Sequence, residues 1–162
     1  MAKTKSSGAG KAAGTRTTTV ARKNSGARGA SAVGKASVTA PRTAPRLPKA
    51  VVAAISAARD KKADDIVVLD LRKTGGFTDY FVIVTGGNAR QIAAIADSVR
   101  DTLKETLGER PALAEGADKS EWILLDYFNF VVHIFSRECR AFYGLERLWG
   151  NAARYEFPNN TP

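Results

Sequence analysis

From residue 50 onward, short apolar runs alternate with amphipathic stretches, whereas the first 49 residues hold almost no bulky apolar side chain. Pro48 suits a helix start, where its missing N–H costs nothing. Val51, Val52 and Ile55 then give a short apolar face up to about Lys62. Residues 65–71, DIVVLDL, are nearly continuous in apolar residues and predict a strand buried on both faces. Residues 74–78 read as a loop, and residues 80–84, YFVIV, as a second strand ending at Thr85, Gly86 and Gly87. Asn88 is a suitable N-cap. Behind it Ile92, Ile95, Val99, Leu103 and Leu107 fall three or four residues apart, one helical stripe that Gly108 stops. Residues 109–120 are polar and read as a loop. Residues 122–127 and 130–135 are two strands with a short connection, which predicts an antiparallel hairpin. Ser136 can cap a last helix. Beyond Trp149 the chain drifts into Asn and Pro and is expected to fray.

The predicted order is α-β-β-α-β-β-α, an α/β domain of about 110 residues with a three- or four-stranded mixed β-sheet and flanking helices. A chain of that size buries roughly 65% of its surface, enough for one core. The expected organisation is a tail over 1–47, a domain over 48–150 and an extension over 151–162.

Charge changes the picture. Residues 1–49 carry eleven Lys and Arg and no acid, while residues 50–162 carry fourteen basic and sixteen acidic side chains. The tail is therefore +11 and the rest −2, matching the total of +9. The basic pI near 9.9 belongs to the tail, and it is no argument that the folded part binds nucleic acid. The tail lacks the apolar residues to offset ordering entropy and is expected to be disordered. It fits a solvated basic segment, an arm that contacts RNA through its phosphates, or an organellar transit peptide, against which its many glycines count. No run approaches 18 apolar residues and the first 30 residues hold no apolar h-region, so neither a membrane span nor a secretory signal is expected. One Cys excludes an internal disulfide and a four-Cys zinc site.

Candidate chemistry is sparse. Thr85, Gly86, Gly87 and Asn88 join a strand to a helix, where backbone N–H groups can hold phosphate, but no Gly-Lys-Ser/Thr follows. A strand, a Gly-Gly turn and a helix also open the nucleotidyltransferase fold, whose chemistry needs paired carboxylates for two metal ions. Asp126 has Leu124 and Phe128 at the partner positions. An unconventional pair, Asp79 with Asp126, is the alternative enzymatic reading. His133 and Cys139 form no evident nucleophile–base constellation and read as structural. No catalytic residue, cofactor or metal is assigned, and the chain is expected not to be an enzyme. What remains is a concentration of anchors, Trp122, Tyr127, Phe128, Phe130, Phe142, Tyr143 and Trp149, interleaved with Glu115, Asp118, Glu121, Asp126, Glu138 and Glu146. Aromatic residues bury large area at low entropic cost, and acids among them suit a basic protein partner better than RNA.

Residues 65–70 (DIVVLD) and 79–83 (DYFVI), with Thr85, Gly86, Arg90 and Gln91, resemble the ribosomal silencing factor RsfS, the Iojap-like family. Glu115 and Gly116, residues 122–127 (WILLDY) and 131–135 (VVHIF), Arg140, Phe142, Tyr143 and residues 145–149 (LERLW) continue the likeness in order, over about residues 48–150. Two positions depart from it: Phe128 and Asn129 stand at a hairpin turn where family members usually have Gly-Asp or a similar pair, and Gly86, Gly87 and Asn88 where many have Gly-Thr-Ser. The resemblance implies a nucleotidyltransferase-like fold without the catalytic carboxylates. It also implies binding to the large ribosomal subunit through ribosomal protein L-fourteen, which blocks joining of the small subunit and represses translation. It implies a partner surface around the Trp122 strand, for which Trp122, Asp126, Tyr143 and Glu146 are the first candidates and Glu115 and Glu121 the next. Family members can self-associate, so a homodimer of the free protein is a further expectation, and the tail's RNA contact would be with rRNA. The implied compartment is the cytoplasm, with organellar import as the tail's alternative.

Overall fold

The computed structural model describes residues 46–116 and 120–158. The basic tail up to residue 45 and Asp118 lie outside the described residues.

The elements run α1 (Lys49–Asp60), β1 (Asp64–Asp70), β2 (Tyr80–Thr85), α2 (Ala89–Leu107), β3 (Leu113–Glu115), β4 (Trp122–Asp126), β5 (Phe130–Phe135), α3 (Arg137–Tyr143), α4 (Leu145–Leu148) and β6 (Ala153–Phe157). The six strands form one mixed sheet in the order β3-β4-β5-β2-β1-β6. β2 and β5 are parallel, and the other neighbours are antiparallel.

Side-chain alternation divides the core in two. Ile66, Val68, Val82, Val84, Val132 and Ile134 face one way and meet the stripe Ile92, Ile95, Val99 and Leu103 of α2 and the apolar side of α1. Val67, Leu69, Phe81, Ile83, Val131 and Phe135 face the other way, under Trp122, Leu124, Leu145 and Trp149. β1, β2 and β5 are thus covered on both sides, which explains their unbroken apolar runs. α2 starts as the sequence predicts: the Asn88 side chain accepts from the Gln91 amide at 2.9 Å, and Gly108 closes the helix in the left-handed region at φ 69°. The Ser136 side chain caps α3 through the Cys139 amide at 3.1 Å.

Four expectations are corrected. The sheet has six strands, not three or four. Part of the expected polar loop is β3, whose three residues pair with β4 from Leu113 opposite Asp126 to Glu115 opposite Leu124. Nor does the chain fray after Trp149: β6 pairs with β1 from Ala153 opposite Asp70 to Phe157 opposite Ile66, so the sheet extends past residue 150. The alternation was present there, since Tyr155 and Phe157 pack on the first core while Arg154 and Glu156 are exposed. Arg59 fastens the end by donating to the Pro158 carbonyl at 3.1 Å and lying 5.8 Å over the Phe157 ring. The last helix is also two pieces, broken at Gly144, which takes φ 54°.

Candidate functional site

The sheet face that α3 and α4 cover incompletely carries the candidate site. Register places Trp122, Leu124 and Asp126 of β4 on the same side as Phe135, His133 and Val131 of β5, and brings Leu113 and Glu115 of β3 beside them. Rings connect across this face without a break. Phe77 lies 5.8 Å from Phe81, Phe81 lies 4.7 Å from His133, and His133 lies 5.9 Å from Trp122. Trp122 meets Tyr143 at 4.7 Å, and Tyr143 meets Phe142 at 5.2 Å. The middle of this ribbon is held in the fold, but its ends are open: Phe77 is 76% exposed, Phe142 79% and Tyr143 45%. The two exposed ends, with buried Phe81 and His133 between them, are the rings free to bury area against a partner.

His133 holds the ribbon's centre. The Trp122 indole N–H donates to its Nδ1 at 3.3 Å, so the neutral ring carries its proton on Nε2. That Nε2 is buried and has no protein partner among the described residues. Burial disfavours the imidazolium and pulls the His133 pKa down to about 4. Burial, with Glu121 adding repulsion, raises the Cys139 thiol. A neutral His bonded to an indole and a protonated Cys do not make a nucleophile pair, in line with their structural reading.

Of the six candidate residues, the structure gathers five. Glu115, Trp122 and Asp126 share the β3–β4 face, Tyr143 lies tilted against Trp122, and Glu121 is exposed at the start of β4. The Glu121 carbonyl accepts from the Ser136 amide at 2.7 Å, which ties β4 to the start of α3. Glu146 is different. It binds inward to Arg140, which donates through Nε at 2.8 Å and Nη2 at 2.5 Å; Arg140 Nη1 also reaches the Asp65 carbonyl and Thr85 Oγ1. Both side chains are nearly buried, so Glu146 supports the α3–α4 junction and leaves the rim to the other acids.

Asp126 also serves its own turn, accepting from the Phe128 amide at 2.8 Å. Phe128 takes φ 64°, the region that favours glycine. Its backbone is held at both ends, because Thr78 Oγ1 donates to the Phe128 carbonyl at 3.0 Å. That compensation shows how a Phe is held in a backbone region that favours glycine. At the other departure, Gly87 N donates to Gln91 Oε1 at 2.8 Å, and Gln91 Nε2 donates to the Lys61 and Lys62 carbonyls. The Gly87 and Gln91 amides are thus satisfied from within the chain, which weakens the phosphate-loop reading. Among the described residues no group of three or more His, Cys, Asp or Glu is gathered as a metal would need, and none of the helices is long and apolar enough to cross a membrane.

Sequence reasoning missed Phe77, Leu113 and the role of Arg140. A lone Phe after two glycines carries no periodic signal, and β3 is too short for one. Arg140 was legible only as part of a motif.

Fold and face define the class: a mixed α/β domain with helices on both sides of one sheet and, on one side, an acid-rimmed ribbon of rings open at its ends. Residues 44–162 match the family model described as ribosomal silencing factor during starvation. The chain belongs to the ribosomal silencing factor family, as its motifs implied. It is 39% identical over 99 residues to the ribosomal silencing factor RsfS of Bacillus subtilis, covering 61% of this chain and 83% of that one. It is 41% identical over 113 residues to the chloroplastic protein Iojap of Zea mays, covering 68% of this chain and 47% of the relative. A mouse relative named for mitochondrial assembly of the ribosomal large subunit is 31% identical over 97 residues, covering 59% of this chain and 42% of that one. A crystal structure of a Chromobacterium violaceum protein superposes with a TM-score of 0.60 at 37% identity, covering 62% of this chain and 83% of that one.

Proposed function

We propose that this protein binds the large ribosomal subunit through ribosomal protein L-fourteen and, without catalysis, keeps the small subunit from joining. The observation that carries the reading is the continuous ring ribbon from Phe77 to Phe142, with Glu115, Glu121 and Asp126 along the β3–β4 rim. An apolar strip edged by carboxylates fits a basic protein surface: the rings bury area, and the acids set orientation and discriminate against wrong partners. The Bacillus subtilis relative is named for ribosomal silencing and the mouse relative for the ribosomal large subunit, which supports this reading. Repression then follows from bulk, because a domain of about 110 residues with a radius of gyration of about 13 Å cannot share a contact that the two subunits must make with each other. The bacterial cytoplasm is the compartment this reading implies. The maize relative is named chloroplastic, and N-terminal sequencing of the mature chain separates the two.

Trp122→Ala and Tyr143→Ala test the surface. Each is expected to weaken co-sedimentation with purified large subunits by about 2 kcal/mol, roughly thirtyfold, with the far-ultraviolet circular dichroism of the fold retained. Wild-type binding by both folded variants would place the interface elsewhere.

A further inference from the structure

We infer that the concavity between α3, α4 and β6 is a second binding site, for the backbone phosphates of RNA. It holds about 480 Å³ and is lined by Arg137, Arg140, Gly144, Glu146, Arg147 and Arg154. Glu146 is already neutralised by Arg140, whose guanidinium is committed to the fold through Glu146, Asp65 and Thr85. Arg137, Arg147 and Arg154 are the other guanidinium groups around the opening, and two of them have a surface acid beside them, Asp64 and Glu156. Residues 50–162 carry fourteen basic and sixteen acidic groups, so this is a local concentration and not a background of positive charge.

The three arginines are free to turn to a ligand to different degrees. Arg147 has no ion pair or side-chain hydrogen bond among the described residues, and its guanidinium lies over Gly144, 3.3 Å from where a Cβ would stand. Arg137 reaches Asp64 only at 3.7 Å, with 70% of its side chain exposed. Arg154 pairs with Glu156 at 2.9 Å on the surface, where such pairs add little. Converging planar forks suit the paired oxygens of a phosphate better than a single ammonium would.

The choice of RNA rests on the proposed ribosomal role. α3 carries Tyr143 and Phe142 of the aromatic ribbon and also Arg137 and Arg140 of the concavity, and Gly144 alone separates it from α4. A particle docked on the ribbon therefore comes up against the arginines as well. On a surface where protein borders RNA, the ribbon takes the protein and the arginines take the phosphates beside it.

Amide chemical shifts of the 15N-labelled full chain, titrated with a single-stranded RNA hexamer, read the site directly and separately from the tail. Shifts at Arg137, Gly144, Arg147 and Arg154 that saturate with RNA are expected. In Arg137→Gln/Arg147→Gln/Arg154→Gln they should vanish, and the salt slope of binding should fall by about 0.7 per arginine removed. RNA-induced shifts confined to residues 1–49 would overturn the inference. Equal shifts from inorganic phosphate at the same phosphate concentration would assign the site to free phosphate and overturn RNA as the ligand. Large-subunit binding decides the reading beneath it. Silent arginines with subunit binding intact sink this inference alone, whereas RNA-responsive arginines in a protein that does not bind the subunit support the site and sink the ribosomal role.

Discussion

His133 shows how one residue can look chemical and be structural. It is the only histidine, it lies next to the ribbon's tryptophan, and only 5% of it is exposed. Its burial leaves it neutral, with a pKa near 4. The unfolded chain, with an ordinary pKa near 6.5, takes up the proton first as pH falls. The contribution of His133 is therefore present in full above about pH 6.5 and is lost progressively between there and about pH 4. A shift of that size corresponds to roughly 3 kcal/mol. Urea unfolding at pH 7.0 and pH 4.5 should show that slope in the wild type and a much flatter one in His133→Phe; parallel slopes would refute it. The strand position and structural role of this residue were legible, because it sits among alternating apolar neighbours. Its bond to Trp122, eleven residues away, was not, since register across the hairpin decides it.

At the scale of elements, α2 was the most legible, with a four-turn stripe, an Asn cap and a Gly stop all in agreement. Buried β1, β2 and β5 followed from their apolar runs. β3 and β6 escaped because three residues carry no period and because Asn and Pro flank the last strand. The α3–α4 break was equally hidden: only its packing shows that Gly144 at φ 54° ends one helix and begins the next. Arg140 binds this junction to the sheet through Glu146, the Asp65 carbonyl and Thr85. Arg140→Ala strands a largely buried carboxylate and should cost about 3 kcal/mol in denaturant unfolding, while Arg140→Met/Glu146→Leu should recover most of the loss, because the pair's net worth is smaller than the penalty for breaking it. A double variant as unstable as the single one would show that the bonds to Asp65 and Thr85 dominate. The loss of Glu146 from the list of outward-facing acids follows from the same geometry, and no spacing in the sequence announces that its partner lies six residues earlier.

Across the whole molecule, the chain separates its charges and its faces. Eleven basic groups stand before residue 50, the remainder is slightly acidic, and one side of the sheet is sealed by α1 and α2 while the other carries the strip of rings, open at its ends. The family was legible in the sequence because its motifs are the buried strands and the ring-bearing hairpin and helix that create this strip. Which rings face outward was not legible, since Trp122, Phe135 and Tyr143 become neighbours only through sheet order and the fold-back of α3, and Phe77 joins them only by way of Phe81. The central claim is that this strip, seated on the large subunit, prevents joining by bulk alone. Light scattering of purified subunits brought to joining conditions tests it most directly. The wild-type protein, added at saturation to large subunits first, should suppress the rise in scattering, and Trp122→Ala/Tyr143→Ala should restore it at the same concentration. An undiminished rise with the wild-type protein saturating the large subunit would contradict the account.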